Sequence, residues 1–234
     1  MVKFIYVTDV HGMIDVYERA FERAESKDVD FLVVGGDITS GATPKCQKFF
    51  LEFYLIKRLK EFRKKTRKPV FMMMGNDDFS SNFPMLRKAG RDKLVKMLHS
   101  GFYEFGNFVI AGYPYVNPTP FLLKDWEKRE DEIARDLAEL SKKIKRRKAI
   151  YVFHAPPHGT KLDVMHNGVH KGSEAIRKFI DCEQPMLTLH GHIHESSKVS
   201  GAMKQMIGKT LCVNPGNGRI ISIDLKSMKI TGMK

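Results

Sequence analysis

The chain is a succession of short apolar runs, each stopping on a polar or charged residue. Residues 31–37 (FLVVGGD) show it most clearly: the run is partly β-branched, closes on Gly35 and Gly36, and stops on Asp37. That is the pattern of a buried strand in a parallel sheet, whose last residue sits at a carboxyl end, where open α/β sheets place their sites. Residues 3–8 (KFIYVT) form an equivalent first strand ending at Asp9-Val10-His11-Gly12. Residues 69–74 lead into Gly75-Asn76-Asp77-Asp78, residues 149–153 into His154, and residues 186–189 into His190-Gly191-His192-Ile193-His194. A carboxylate in such a place is costly to bury unless a cation or a donor meets it.

Between the strands the period becomes helical. Ile14, Val16, Tyr17, Ala20, Phe21 and Ala24 recur at helical spacing, and Thr43-Pro44 opens a long helix with Cys46, Phe49, Phe50, Phe53, Ile56 and Leu59 expected along one face. A helical segment is expected over 85–98, a second long helix over 125–147, and another after Gly172, with Ser173 as its N-cap. Residues 102–105 and 108–113, joined by Gly106-Asn107, read as a hairpin. Residues 114–120 (PYVNPTP) form the most irregular loop and a candidate to lie over a site, and the chain beyond 200 is strand-rich. No repeat, linker or low-complexity segment divides residues 1–234, so a single domain is expected.

Composition changes this picture little. Of 234 residues, 42% are hydrophobic and 29% charged, ordinary for a folded protein. No apolar run approaches the roughly 18 residues of a membrane span, so no membrane partner is expected and a cytoplasmic location is the default. Cys46, Cys182 and Cys212 are widely spaced and odd in number, which reads as buried thiols in a reducing compartment and neither a disulfide framework nor a zinc knuckle. The net charge of +13 is concentrated in residues 57–68 (KRLKEFRKKTRK) and 142–148 (KKIKRRK). Both lie at ends of helical patterns, where cations oppose the helix dipole. They read as solvated helix ends, with nucleic-acid binding as the alternative.

Candidate chemistry follows from the strand ends. Asp9, His11, Asp37, Asn76, His154, His192 and His194 end five successive apolar strands, and a parallel sheet brings such ends to one edge. Three carboxylate or amide side chains and four imidazoles make a mixed oxygen and nitrogen set suited to divalent Mn, Fe, Co or Zn. Seven ligands exceed one tetrahedral ion and suit two ions sharing a carboxylate, with Asp37 as the central bridge.

The motifs Asp9-x-His11, Gly35-Gly36-Asp37, Gly75-Asn76, His154 and Gly191-His192-x-His194 resemble the calcineurin-like metallophosphoesterase superfamily in order and spacing. With the small size and the turn at Val213-Asn214-Pro215-Gly216, they resemble its compact cytosolic branch. The resemblance implies an α/β fold, a four-layer α/β/β/α sandwich of two mixed sheets flanked by helices. It also implies two divalent ions (Mn favoured, with Fe, Co, Ni or Zn as alternatives), one on Asp9, His11, Asp37 and His194, the other on Asp37, Asn76, His154 and His192. The implied reaction is in-line hydrolysis of a phosphodiester or phosphomonoester by a metal-bridging water.

One position departs from the pattern. Many members carry His after the Gly-Asn, where it helps protonate the leaving group, and here that residue is Asp77. The catalytic set expected is therefore Asp37 and Asn76 with Asp77 or His158 as the acid, or else a requirement for good leaving groups; Asp77 as a hydrogen-bond acceptor to a ligand histidine is an equal reading. The 164–173 loop could bind an anion at a helix N-terminus through His170, Lys171 and Ser173, or be a surface loop with a capping serine. His99 and His190 read as structural. The expected partner is a small phosphate-ester or nucleotide substrate. A nuclease using the basic helices and a metal-binding scaffold are the competing readings, and homo-oligomer formation stays open.

Overall fold

The computed structural model describes residues 2–145 and 147–232. In chain order the elements are β1 (Lys3–Val7), α1 (Ile14–Glu25), β2 (Phe31–Gly35), α2 (Pro44–Phe50), a π-helical turn (Leu51–Leu55), α3 (Ile56–Lys65), β3 (Val70–Met73), α4 (Phe83–Arg91), β4 (Lys96–Met97), β5 (Gly101–Phe105) and β6 (Phe108–Tyr113). They continue with α5 (Glu130–Ile144), β7 (Ala149–Phe153), α6 (Glu174–Glu183), β8 (Leu187–Leu189), α7 (Ser196–Val199), β9 (Lys204–Ile207), β10 (Thr210–Val213), β11 (Ile221–Asp224) and β12 (Lys229–Gly232).

The strands form two six-stranded mixed sheets, in the orders β12-β11-β1-β2-β3-β4 and β5-β6-β7-β8-β10-β9. In the first, β1 to β4 are parallel and β11 and β12 antiparallel. In the second, β6, β7, β8 and β10 are parallel, with β5 and β9 antiparallel at the edges. Strand residues alternate between faces, so each sheet has two apolar faces to cover. Ile5, Val7, Leu32, Val34, Val70 and Met72 pack with Tyr17, Phe21, Leu59 and Phe62 of α1 and α3. Phe4, Tyr6, Val33, Phe71 and Met73 pack instead against Ile110, Ile150, Val152 and Leu189 of the other sheet. Tyr151 and Phe153 pack with Ile133, Leu137, Ile176 and Ile180 of α5 and α6. Three apolar layers between four structural layers make the expected α/β/β/α sandwich. Tyr6 ties the sheets together, donating its hydroxyl to the His190 carbonyl at 2.8 Å.

Three sequence expectations need correction. The long second helix starts at Glu130, because residues 116–128 form a loop pinned at its base by the Val116–Trp126 and Lys128–Val116 backbone hydrogen bonds. The helix expected over 85–98 spans Phe83–Arg91, and the chain then turns into the short strand β4. Finally, Cys46, Phe49 and Phe53 are exposed, while Gln47, Leu51, Leu55, Arg58, Leu59 and Phe62 are buried. The π-helical turn widens the helix by one residue and rotates everything beyond it. The thiols also divide: Cys46 and Cys182 are exposed and only Cys212 is buried. Among the described residues, no helix is long and apolar enough to cross a membrane.

Candidate metal centre

The carboxyl ends of β1, β2, β3, β7 and β8 meet at one edge of the sandwich and deliver the expected side chains. Ligand atoms of Asp9, His11, Asp37 and His194 all lie within 4.8 Å of one another. Beside them, His154 Nε2 faces Asp37 Oδ2 at 3.2 Å and Asn76 Oδ1 at 3.1 Å. The His192 ring centroid stands 5.5 Å from that of His154. Asp37 thus faces His11 on one side, at 3.8 Å, and His154 on the other.

The local backbone is unusual. Asp9, His11, Asp37 and His192 have φ values of 51°, 46°, 47° and 65°, in the left-handed region that side-chain-bearing residues seldom adopt. Such conformations cost of order 1–3 kcal/mol each and cluster at functional sites. Backbone hydrogen bonds hold them: Asp9 N–H donates to the Gly36 carbonyl and His11 N–H to the Asp37 carbonyl, while His192 N–H donates to Asp9 Oδ1 at 3.0 Å. A side chain at Gly75 would overlap Asp37 Oδ1 and His154 Nε2, so only glycine lets β3 end this close to the centre.

The donor set fits divalent cations. Asp9 and Asp37 are almost wholly buried, and among the described residues no lysine or arginine pairs with either; their charged neighbours are the histidines. His11 Nε2 and His194 Nε2 face each other at 3.1 Å, an arrangement that a shared proton or cation must relieve. Burial works to raise the Asp37 pKa, but the His154 charge outweighs it and holds the carboxyl below the usual range. Burial would likewise depress His154, yet Asp37 raises it to about 10. His192 goes the other way, down to about 4, through burial and then the His154 charge. Carboxylates and imidazoles crowded without a neutralising ion polarise one another in this way.

The supporting residues were less visible in the sequence. Asp78 is fully buried and its carboxylate accepts from Ile38 N–H, Thr39 N–H, Thr39 Oγ1 and Gly75 N–H at 2.6–3.0 Å, which lashes the β2 and β3 ends together. Burial and then the charge of Asp37 push its pKa up to about 7. Gln47, buried on α2, donates to the Asp77 carbonyl and accepts from Phe79 N–H. Asn214 donates to carbonyls of Leu162, Gly191 and Ile193, holding the loop that carries His192 and His194. A buried amide or carboxylate beside a glycine turn was the available signal for each.

Asp77 sits at the rim. Its N–H donates to Asp37 Oδ1 at 2.8 Å, and its carboxylate lies 3.8 Å from His11 Nδ1, accepts from Asn76 Nδ2 and pairs with Lys124. Lys124 was not among the expected site residues.

His158, His170 and Lys171 are placed elsewhere. His170 Nδ1 meets buried Asp163 Oδ1 at 2.8 Å and His158 Nδ1 approaches Oδ2 at 3.6 Å. Neither ring shares a hydrogen bond or ion pair with the seven donors. Lys171 is exposed, with its carbonyl accepting from Asn117. The expectation of an anion at the α6 N-terminus is corrected in its source: Glu130 of α5 already accepts from Ser173 Oγ, Glu174 N–H and Ala175 N–H there. Ser173 is buried and caps the helix by accepting from Ile176 N–H, so its hydroxyl is committed internally.

Two stacked sheets flanked by helices, with histidines and carboxylates converging from the strand ends, define a metal-dependent hydrolase scaffold. The chain belongs to the calcineurin-like phosphoesterase family, whose model matches residues 2–196. No curated protein matches the sequence. Among solved structures, TT1561 of Thermus thermophilus is 16% identical, with 100% of this chain and 98% of that one covered and a TM-score of 0.75. A dimetal phosphatase from Danio rerio is 12% identical over 99% and 95% of the two chains, at a TM-score of 0.56. GAP50, the anchor in the inner membrane complex of Plasmodium, is 14% identical over 100% and 88%, at 0.58. At these identities the likeness is one of fold.

Proposed function

We propose that the protein is a dimetal phosphodiesterase acting on small phosphate esters. The observation that carries this reading is the convergence of seven oxygen and nitrogen donors on Asp37, with two buried carboxylates that no lysine or arginine among the described residues neutralises. Asp9, His11, Asp37 and His194 would hold one ion; Asp37, Asn76, His154 and His192 would hold the other. Bound there, a pair of divalent ions supplies Lewis acidity toward a phosphate oxygen and an acidified water for in-line attack. Manganese is the favoured ion on the donor mixture.

The chain's own groups set the geometry. The Gly35 carbonyl accepts from His154 Nδ1 at 3.0 Å, which leaves Nε2 as the atom aimed at the centre. Asp77 N–H and the Asp78 brace fix Asp37 and the Gly75-Asn76 turn, so the donors need no rearrangement when a substrate arrives. A cavity of about 430 Å³ opens beside His11 and Asp77, lined also by Thr39, Gln47 and Lys124, and would receive the ester. A further cavity of about 590 Å³, between Ile144, Cys182 and Lys209, opens where β7 and β8 begin, at the edge away from the donors. The Danio rerio dimetal phosphatase supports the reading by fold likeness.

The test is a metal-stripped preparation assayed on bis(p-nitrophenyl) phosphate, p-nitrophenyl phosphate and a cyclic nucleotide with Mn, Co, Ni, Zn and Mg. Hydrolysis restored by metal, fastest on the diester, is expected. No metal-dependent hydrolysis of any of the three would overturn the reading.

A further inference from the structure

The loop of residues 116–128 is anchored at its base and open at its tip. Trp126, buried, donates its indole N–H to the Asp78 carbonyl at 2.6 Å, and Asp125 Oδ2 accepts from Ser80 N–H at 2.9 Å. Thr119 donates to Glu127 through both its N–H and its hydroxyl. These bonds fasten the loop to the residues that follow the candidate ligand Asn76. The tip is the opposite: Phe121, Leu122 and Leu123 are 66%, 88% and 86% exposed. Leu123 is held at φ 60°, a strained conformation for a branched side chain.

Lys124 ends this apolar tip and turns back to pair with Asp77. Leu122, Leu123 and Lys124 line the same cavity as His11 and Asp77. One face of that cavity therefore carries a candidate metal ligand, the next an ammonium, and the outer wall two uncovered leucines. An ammonium has three N–H donors; Asp77 takes one and the others remain for a ligand oxygen.

We propose that residues 122–124 form the leaving-group subsite, and that the substrates are phosphodiesters whose departing alcohol is apolar, such as a benzyl or longer hydrocarbon group. The proposal rests on the phosphodiesterase reading given above. As the ester P–O bond breaks, its electron pair moves to the leaving oxygen, where the Lys124 ammonium meets the growing charge with a hydrogen bond. Water forms the new P–O bond, and the proton it sheds reaches the departing alcohol through solvent. Leu122 and Leu123 cover the alcohol's hydrocarbon part and are themselves covered by it, which removes apolar surface from water on both sides. Asp77 acts as the positioning residue for Lys124.

The experiment compares dimethyl and dibenzyl phosphate, whose leaving alcohols are nearly equal in acidity and differ in apolar surface. Both are assayed with metal-loaded wild type, Leu122→Ser/Leu123→Ser, Lys124→Ala and Lys124→Arg. Binding of a non-hydrolysable dibenzyl phosphinate is measured alongside by calorimetry. Wild type is expected to favour the dibenzyl ester. The double leucine variant should lower the dibenzyl-to-dimethyl ratio of kcat/KM by at least about tenfold, through KM, and weaken the phosphinate by a similar factor, as burying one leucine is typically worth that much. Lys124→Ala should lower kcat on both esters by about 10²- to 10³-fold, the usual effect of one charge-stabilising donor, with partial recovery in Lys124→Arg. An unchanged ester ratio and phosphinate affinity in the leucine variant, or a Lys124→Ala kcat within about threefold of wild type, overturns the subsite. If wild type hydrolyses neither ester nor any aryl phosphate, the phosphodiesterase reading falls, and the phosphinate affinities still show whether the leucines bind an apolar group.

Discussion

Asp37 is the residue on which the two halves of the site depend. It faces His11 and His154 from opposite sides and receives Asp77 N–H. Asp37→Asn keeps the shape and removes the shared negative charge. Metal analysis should find at least one of two equivalents lost, and turnover should fall by more than the about 10- to 100-fold that a hydrogen-bond partner of a ligand typically costs. Full metal content with normal turnover in Asp37→Asn would refute the bridging role. The cysteines offer a second check at this scale. Burial pushes the Cys212 thiol up to about 11, so it stays protonated and inert at pH 8, whereas Cys46 and Cys182 face solvent. Alkylation of the native protein at pH 8 should label two thiols, with the third reacting only after unfolding. The seven donors were legible in the sequence because each directly follows an apolar strand. Lys124 was not: nothing in a lysine after two leucines says that a loop anchored by Trp126 will turn it toward Asp77.

At the scale of elements, β1, β2, β3, β7 and β8 could be read from their apolar runs, because a strand buried on both faces needs no further signal. The α2–α3 segment could not. Its expected apolar stripe ran through Phe49 and Phe53, but the π-helical turn at Leu51–Leu55 shifts the phase, and a one-residue bulge leaves no trace in periodicity. Its consequence is to bury Arg58, which donates to Glu18 at 2.8 Å and Glu25 at 3.0 Å and lies over the Phe21 ring. This joins α3 to α1 beside β1. Arg58→Ala leaves two partly exposed carboxylates without their partner and opens a gap over Phe21. A loss of about 2–3 kcal/mol in chemical denaturation is expected, below the 3–5 of a fully buried pair because both glutamates see solvent. A loss below about 0.5 kcal/mol would contradict the packing described.

At the scale of the molecule, the charge of +13 looked in the sequence like a polynucleotide-binding feature. The structure accounts for part of it internally. In the first basic run, Arg58 and Lys65 pair with glutamates of α1, and Lys68 donates to the Ala24 and Ser26 carbonyls at the α1 C-terminus. In the second, Arg147 pairs with Glu104, and Arg146 lies outside the described residues. Reversing Lys142 and Lys143 to glutamate should leave hydrolysis of a small diester within about threefold, since exposed charges beyond about 8 Å are largely screened at physiological salt. A polynucleotide substrate would behave differently, with cleavage falling in the variant and steeply with added salt. The outline of the sandwich was legible from strand and helix patterns together. The wall of the cavity was not, because it is built from loop residues whose position only the folded sheets determine.

The central claim, that seven side chains build a two-ion phosphoesterase centre on Asp37, is tested most directly by titrating metal-stripped protein with Mn²⁺ in a calorimeter while following hydrolysis of bis(p-nitrophenyl) phosphate on the same samples. Two equivalents should bind, and activity should rise with occupancy of the second. Saturation of activity at one equivalent, or hydrolysis that persists without metal, would contradict it.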